Sequence, residues 1–421
     1  MRRLLVSRGV RELGASQAEA ITGEQWKVLF AAQAGYMLDA MDVLLYVFAL
    51  NALKAEFHMS NALAGAIGSV TLVFSAVGGI SAGVLADRFG RTRLLAATIL
   101  WYSLASAGAA TATSVGQLMV WRALVGVGLG GEWSAGAVLV AETWPDRYRA
   151  RAIGFMQSGW ALGYLLAAGV TAAVLPRYGW RALFLTGLAP ALLALAVRRS
   201  VAEPEAWRQA KAQARPRWTA IFGRPFLRVT ASATALTTCV LFGYWGLFTW
   251  LPSYLQTPRS KGGAGLSLLA TSASIVPVQV GAFLGYVTFG FVSERFGRRP
   301  AFLTYMLAAA ALVPFYGLSR DARTLLLLGP LVGFFGSGYF SLFGEMLAQL
   351  YPVQLRGAGQ GFTYNGGRAL SALAPLLVGM LADHYGIGLA LLVNSAFFLM
   401  AAAAIFLLPE RGLVSQPRQI Q

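Results

Sequence analysis

Apolar and polar positions alternate along this chain in long blocks. Runs of Ala, Val, Leu, Ile, Phe and Gly are interrupted by short polar segments. A helix that crosses a bilayer needs about 20 mostly apolar residues. Twelve runs meet or approach that length: 27–52, 61–86, 94–113, 118–141, 152–175, 182–197, 228–255, 266–293, 301–318, 325–348, 357–381 and 387–408. The sixth is short and can continue through Arg198. The longest polar interruption, "RRSVAEPEAWRQAKAQARPRW", falls between the sixth and seventh runs. The pattern predicts an all-α membrane protein. Its parts are an N-terminal segment (1–26), a six-helix half (27–197), a linker (198–227), a second six-helix half (228–408) and a tail (409–421).

Composition agrees with the pattern. The chain is 57% hydrophobic and 12% charged, with mean hydropathy +0.60; soluble domains carry about 25% charged residues. The net charge of +17 raises the question of nucleic acid. The basic residues, however, lie in short clusters between apolar runs, so they report topology instead. With both termini on one side, that side receives 25 of the 34 Lys and Arg residues. The opposite loops hold seven: Lys54, Arg177, Arg181, Arg259, Lys261, Arg320 and Arg323. The imbalance places both termini in the cytoplasm and the protein in the inner or plasma membrane. No cleavable signal peptide is visible in the mixed, polar first 25 residues. Cys239 is the only cysteine and reads as an inert packed thiol.

The chain also repeats itself. "GGISAGVLADRFGRTR" (78–93) returns as "YVTFGFVSERFGRRP" (286–300). Adding 207 maps Gly83, Arg88, Phe89, Gly90 and Arg91 onto Gly290, Arg295, Phe296, Gly297 and Arg298. Asp87 maps onto Glu294, and Pro145, Arg149 and Gly154 onto Pro352, Arg356 and Gly361. A repeat of six spans keeps both copies in one orientation, the parallel-repeat architecture of many secondary transporters.

At these residues the chain resembles the major facilitator superfamily. "GVLADRFGRTR" matches that family's signature between helices two and three, and "GFVSERFGRR" is its second copy. The resemblance covers residues 27–412. A narrower one rests on "LDAMD", "GVGLGGEW", "AETWPDRYRARA", "GYWGLFTWLP", "YNGGR" and "LPERG". Together these are similar to proton-coupled importers of organic acids: sialate, lactate, aromatic acids and related metabolites. The resemblance implies two pseudo-symmetric halves rocking about a central cavity, with helices three, six, nine and twelve facing lipid.

Charges inside the spans carry the chemistry, because an ionisable group at mid-bilayer costs at least about 2.5–3.5 kcal/mol and faces a cavity or a partner. They are Asp39 and Asp42 in helix one, Arg122 and Glu132 in helix four, and Arg368 in helix eleven. At about 1.5 Å per residue, Asp42 lies roughly 22 Å from the cytoplasmic end of helix one. Helix four runs the other way, with Arg122 about 6 Å below its outer end. In a core about 30 Å thick those levels nearly coincide, so Arg122 can pair with Asp39 or Asp42. Glu132 lies about 15 Å from Arg122 along the axis, too far to pair with it. Two neighbouring, partly desolvated carboxylates suit a proton carrier, so Asp39, Asp42 and Glu132, with Arg122, form the proton-coupling group. The plainer reading is a permanent structural pair with Arg122.

Arg368 stands about 17 Å into helix eleven, near the midplane. Its guanidinium can hold a carboxylate by two parallel hydrogen bonds. Asn365 lies one turn earlier, and Tyr364, Trp160, Gln157 and Tyr36 are candidate cavity walls. The alternative for Arg368 is an internal bridge to a helix carbonyl or to Glu345. The resemblance further implies that Asp87 and Glu294 contact a helix N-terminus in the opposite half and close the inner gate. Arg88, Arg91, Arg295 and Arg298 belong to the same loops. The plainer reading of those loops is charge that fixes topology.

"GVGLGG" (126–131) matches a dinucleotide motif formally, but no strand precedes it, and small-residue helix packing explains it better. No P-loop, zinc spacing or Ser-His-Asp pattern occurs, and His58 and His384 look incidental. The expected function is secondary active symport of a small organic carboxylate with protons. No cofactor, metal or nucleic acid is expected; the partners are the anion, protons and the lipid bilayer, and the chain works as a monomer. The alternatives are a drug/proton antiporter on the same fold and, from another class, a membrane enzyme. Helix five lacks the Gly-Pro signature of such exporters, and no nucleophile or metal set supports an enzyme.

Overall fold

The computed structural model describes residues 21–192, 218–352 and 355–409. The side chains of Asp87, Arg88, Arg91 and Glu132 lie outside that description, as do most of the linker, the first 20 residues and the tail.

Every described element is helical. The first half contains α1 (Gly23–Glu56), α2 (Asn61–Phe89), α3 (Arg91–Ala109), α4 (Val115–Thr143) and α5 (Asp146–Leu185). The second contains α6 (Arg224–Gln256), α7 (Leu268–Phe296), α8 (Arg298–Leu318), α9 (Ala322–Ser337), α10 (Phe340–Ala348), α11 (Arg356–Ser371), α12 (Leu373–Tyr385), α13 (Ile387–Leu391) and α14 (Val393–Ala404). These make twelve spans in two halves. The count differs from the number of helices for physical reasons. α5 carries the fifth span, bends at Gly179 and begins the sixth. The tenth, eleventh and twelfth spans are α9–α10, α11–α12 and α13–α14, the tenth and eleventh interrupted near the middle and the twelfth near its start. In the eleventh, Pro375 has no N–H to offer the Ser371 carbonyl one turn back, and the helix breaks at Ala372.

Local chemistry sets the ends. α1 starts at Gly23, four residues before the apolar run, because Thr22 and Gln25 form a capping box: Gln25 N donates to Thr22 Oγ1 (3.3 Å) and Thr22 N to Gln25 Oε1 (2.8 Å). α6 starts at Arg224, with Pro225 in its first turn, where a missing N–H costs nothing.

The 207-residue repeat is physical. Gly179 (φ 75°) and Gly386 (φ 83°), 207 apart, turn the chain between the last two spans of each half. Their ψ values of 179° and 153° put them in a region open essentially to glycine alone. Arg149 donates to the Trp144 carbonyl, and Arg356 to the Tyr351 carbonyl, each at 3.4 Å. Gly126 sits on the Thr71 carbonyl and Gly333 on the Val278 carbonyl; Gly78 sits on Val127 and Gly285 on Phe334. No Cβ fits at these four contacts, so the second and fourth spans of each half pack backbone to backbone. The "GVGLGG" run is this packing surface.

Candidate functional site

Between the halves lies a partly open cavity with about 560 Å³ of atom-free space, open solvent included. α1 lines it with Tyr36, Asp39 and Val43, α2 with Thr71, Leu72 and Ser75, and α4 with Leu129. Trp160 comes from α5, Leu241, Tyr244 and Trp245 from α6, Tyr286 from α7, Phe340 from α10, and Tyr364 and Arg368 from α11. Among the described residues, the third, sixth, ninth and twelfth spans contribute nothing to the wall.

Arg368 is the basic residue of this wall, 7% exposed. Its Nη1 donates to Ser75 Oγ at 2.9 Å, across the boundary between the halves. Its guanidinium lies 4.9 Å from the centre of the Tyr364 ring, a cation–π arrangement. Glu345, its alternative partner in the sequence, is bound instead by Arg298 at 3.1 Å. Aromatic rings continue the wall. Tyr36 packs on Trp160 (5.2 Å between centroids) and Trp160 on Trp245 (5.7 Å). Trp245 meets Tyr244 (5.6 Å), which meets Phe340 (5.0 Å). Three donors on this wall have no hydrogen-bond acceptor among the described residues: Nε of Arg368 and the indole Nε1 of Trp160 and Trp245.

The two aspartates of helix one part company. Asp39 faces the cavity. Asp42, 0% exposed, points into the first half, against the Ser106 hydroxyl and over Gly187. Arg122, 1% exposed, lies over the Tyr46 ring at 5.0 Å, and the negative charge it feels is that of Asp42. Among the described residues no Arg122 ion pair closes within 4.0 Å, so the direct pair expected from depth is not formed there. Glu132 stands on α4, its side chain outside the description. Gln157 and Asn365 are buried beside the cavity and not in its wall: Gln157 Nε2 donates to the Phe340 carbonyl (3.2 Å), and Asn365 Nδ2 to the Gly361 carbonyl (2.9 Å).

Both ends of the boundary are bridged. At the inner end, Glu294 meets Arg151 of the opposite half at 3.6 Å, with both side chains about half exposed. Arg298 stays within its own half, on Glu345 and Gln349, and Arg295 lies over Phe296. Asp87, Arg88 and Arg91 have side chains outside the description. At the outer end, Asp383 of α12 accepts from Asn61 N (3.0 Å), Asn61 Nδ2 (2.8 Å) and Ala62 N (2.9 Å). It thereby caps α2 across the boundary. Ser253 donates to Asn51 at 2.8 Å, Tyr164 to the Phe248 carbonyl at 3.0 Å, and Gly65 and Gly379 sit on the Pro375 and Asn61 carbonyls.

Sequence reasoning found Arg368, Tyr364, Tyr36, Trp160 and Asp39 of this wall. It missed Ser75, Thr71, Tyr244, Trp245, Tyr286 and Phe340, although Tyr244 and Trp245 stand in "GYWGLFTW". It also missed Asp383.

A family description, Major Facilitator Superfamily, matches residues 34–287 and 260–420. The chain belongs to the major facilitator superfamily. It is a multi-pass membrane transporter and not an enzyme. Among its relatives is a protein of Cupriavidus pinatubonensis named "Probable 4-methylmuconolactone transporter", 37% identical over 93% of this chain and 92% of that one. Another is the "Cis,cis-muconate transport protein" of Acinetobacter baylyi, 30% identical over 94% of this chain and 97% of that one. The fold is similar to that of a D-xylose-proton symporter, with TM-score 0.73 and 20% identity over 92% of this chain and 99% of that one.

Proposed function

We propose that this transporter imports a small organic carboxylate together with protons, by alternating access of two halves around the central cavity. The observation that carries the reading is the set of three donors without acceptors on one wall, Arg368 Nε, Trp160 Nε1 and Trp245 Nε1. A buried donor without an acceptor costs about 1–3 kcal/mol, so the wall favours a ligand that brings acceptor oxygens. A carboxylate does so and takes a guanidinium in the bidentate geometry. The rings of Tyr36, Trp160, Trp245 and Phe340 suit a flat, unsaturated skeleton, in keeping with the muconate and muconolactone of the relatives' names.

Asp39 supplies the coupling. An anion entering this cavity is repelled by the Asp39 carboxylate, and a proton taken up with the substrate removes that repulsion. Asp42 and Arg122 support helix one from behind, and Glu132 remains a second candidate carrier. Asp87 and Glu294, with the arginines of their loops, hold the inner gate. The basic clusters put both termini in the cytoplasm of a cell or inner membrane, and the cavity is complete within one chain, which acts as a monomer.

The test is uptake by purified protein in proteoliposomes, with a panel of lactate, N-acetylneuraminate, benzoate and cis,cis-muconate. At least one acid accumulates under an inward proton gradient, and a protonophore abolishes the accumulation. Exchange of none of the panel would overturn the carboxylate reading. Net uptake that is indifferent to the gradient would overturn the coupling.

A further inference from the structure

The hydrogen bond between Arg368 and Ser75 joins the two halves inside the cavity itself. Ser75 belongs to α2, in the first half, and Arg368 to α11, in the second. Both side chains are buried, Ser75 at 4% and Arg368 at 7% exposure. A guanidinium cannot shed its charge, and at this depth it needs an acceptor in every state the transporter visits. Two acceptors compete for it. One is a substrate carboxylate, ionised and bidentate. The other is the Ser75 hydroxyl, neutral and single. The carboxylate makes the stronger bonds, so a bound substrate draws Arg368 away from Ser75, and its departure returns Arg368 to Ser75.

The placement of Ser75 is not casual. Gly130 of α4 rests on the Ser75 carbonyl and Gly126 on Thr71 one turn earlier, both too close for a Cβ. Gly79, one turn later on α2, lies under the Asn365 side chain of α11. α2 is thus clamped between the glycine face of α4 and the polar face of α11, and the Ser75 hydroxyl is held where Arg368 can reach it.

We propose that Ser75 is a stand-in acceptor for the substrate: it satisfies Arg368 when no carboxylate is bound, and so permits the halves to close over an unloaded cavity. This inference rests on the reading of Arg368 as the carboxylate anchor. Its consequence separates two transport modes. Exchange of external for internal substrate cycles only through loaded states, in which the carboxylate occupies Arg368. Net uptake also requires the unloaded carrier to return, and that step depends on Ser75.

The experiment uses the full chain in proteoliposomes and the panel acid that the wild-type protein exchanges fastest. Counterflow exchange and net gradient-driven uptake are measured side by side. In Ser75→Ala the ratio of exchange to net uptake rises about tenfold, the scale of one lost hydrogen bond to a charged group. Ser75→Cys, similar in size but a weak acceptor, shifts the ratio the same way. Ser75→Thr, which keeps the hydroxyl, restores the wild-type ratio. A wild-type ratio in both Ala and Cys variants, or a parallel fall of exchange and net uptake that leaves the ratio unmoved, overturns the proposal. The two readings fail apart: if the wild-type protein exchanges no carboxylate, or Arg368→Ala exchanges it normally, the anchor is lost. If exchange depends on Arg368 but the ratio ignores Ser75, only the stand-in is lost.

Discussion

At the scale of the residue, the geometry assigns different fates to side chains that look alike in the sequence. Arg368 presents a planar fork to the cavity, and a lysine there keeps the charge but not the fork. Arg368→Lys is therefore expected to weaken carboxylate binding by about tenfold or more; a wild-type Kd by calorimetry would exclude Arg368 from the site. Asp39→Asn alters a cavity wall, so the variant should still exchange labelled carboxylate but fail to accumulate it under a proton gradient. Asp42→Asn removes the negative charge that Arg122 feels in the interior. It should lower stability by about 1–3 kcal/mol and reduce exchange and accumulation together, as read by thermal unfolding alongside transport. Depth along a helix is legible from residue counting, which is why Asp39, Asp42, Arg122 and Arg368 were found. Azimuth is less so. Three residues turn a helix by about 300°, leaving neighbours about 60° apart. That angle is enough to send Asp39 into the cavity and Asp42 away from it.

At the scale of the element, backbone contact between helices decides what can change. At Gly130 a Cβ would collide with the Ser75 carbonyl. Gly130→Ala should push α4 off α2 and abolish monodisperse expression, whereas Gly116→Ala, at the open start of the same helix, should be tolerated. Size-exclusion chromatography of the two variants checks the contrast. Gly386→Ala places a side chain where φ is 83° and ψ 153°, at a cost of about 1–3 kcal/mol. Span number and order were readable because each run had to match the bilayer thickness. The interruptions in the tenth, eleventh and twelfth spans were not, since apolar composition continues through them. Pro375 marks one of them, but proline also lies inside unbroken helices here, as Pro277 does in α7. The aromatic wall escaped notice because a membrane-facing ring and a cavity-facing ring share one composition.

At the scale of the whole molecule, the contacts at the two ends of the boundary differ in kind. The inner bridge, Glu294 to Arg151, is about half exposed and so worth about 0.2–1 kcal/mol. The outer bridge ties Asp383 to two backbone amides and a side chain, and removing such a cap costs about 0.5–2 kcal/mol. Asp383→Ala should therefore shift the population toward outward-open more than Glu294→Gln shifts it toward inward-open. Distances between spin labels at the two ends measure both, and the reverse ranking would refute the comparison. Contacts of this kind join residues as far apart as 322 positions, beyond any local signal in the sequence. The repeat carries a last consequence, one of ancestry. What the two halves share is architecture: the turning glycines Gly179 and Gly386, and the carbonyl-seating pairs Gly126 with Gly333 and Gly78 with Gly285. What they do not share is chemistry. The mates of Ser75, Arg122 and Arg368 in the other copy are Ala282, Gly329 and Ala161, and that of Tyr286 is Gly79. A founder built of two identical copies held every such group twice or not at all, and its cargo could lie either way round. Among the described residues the two halves now differ, with one guanidinium on one side of the cavity and one carboxylate on the other, and under the proposed reading that asymmetry gives the cargo a head and a tail.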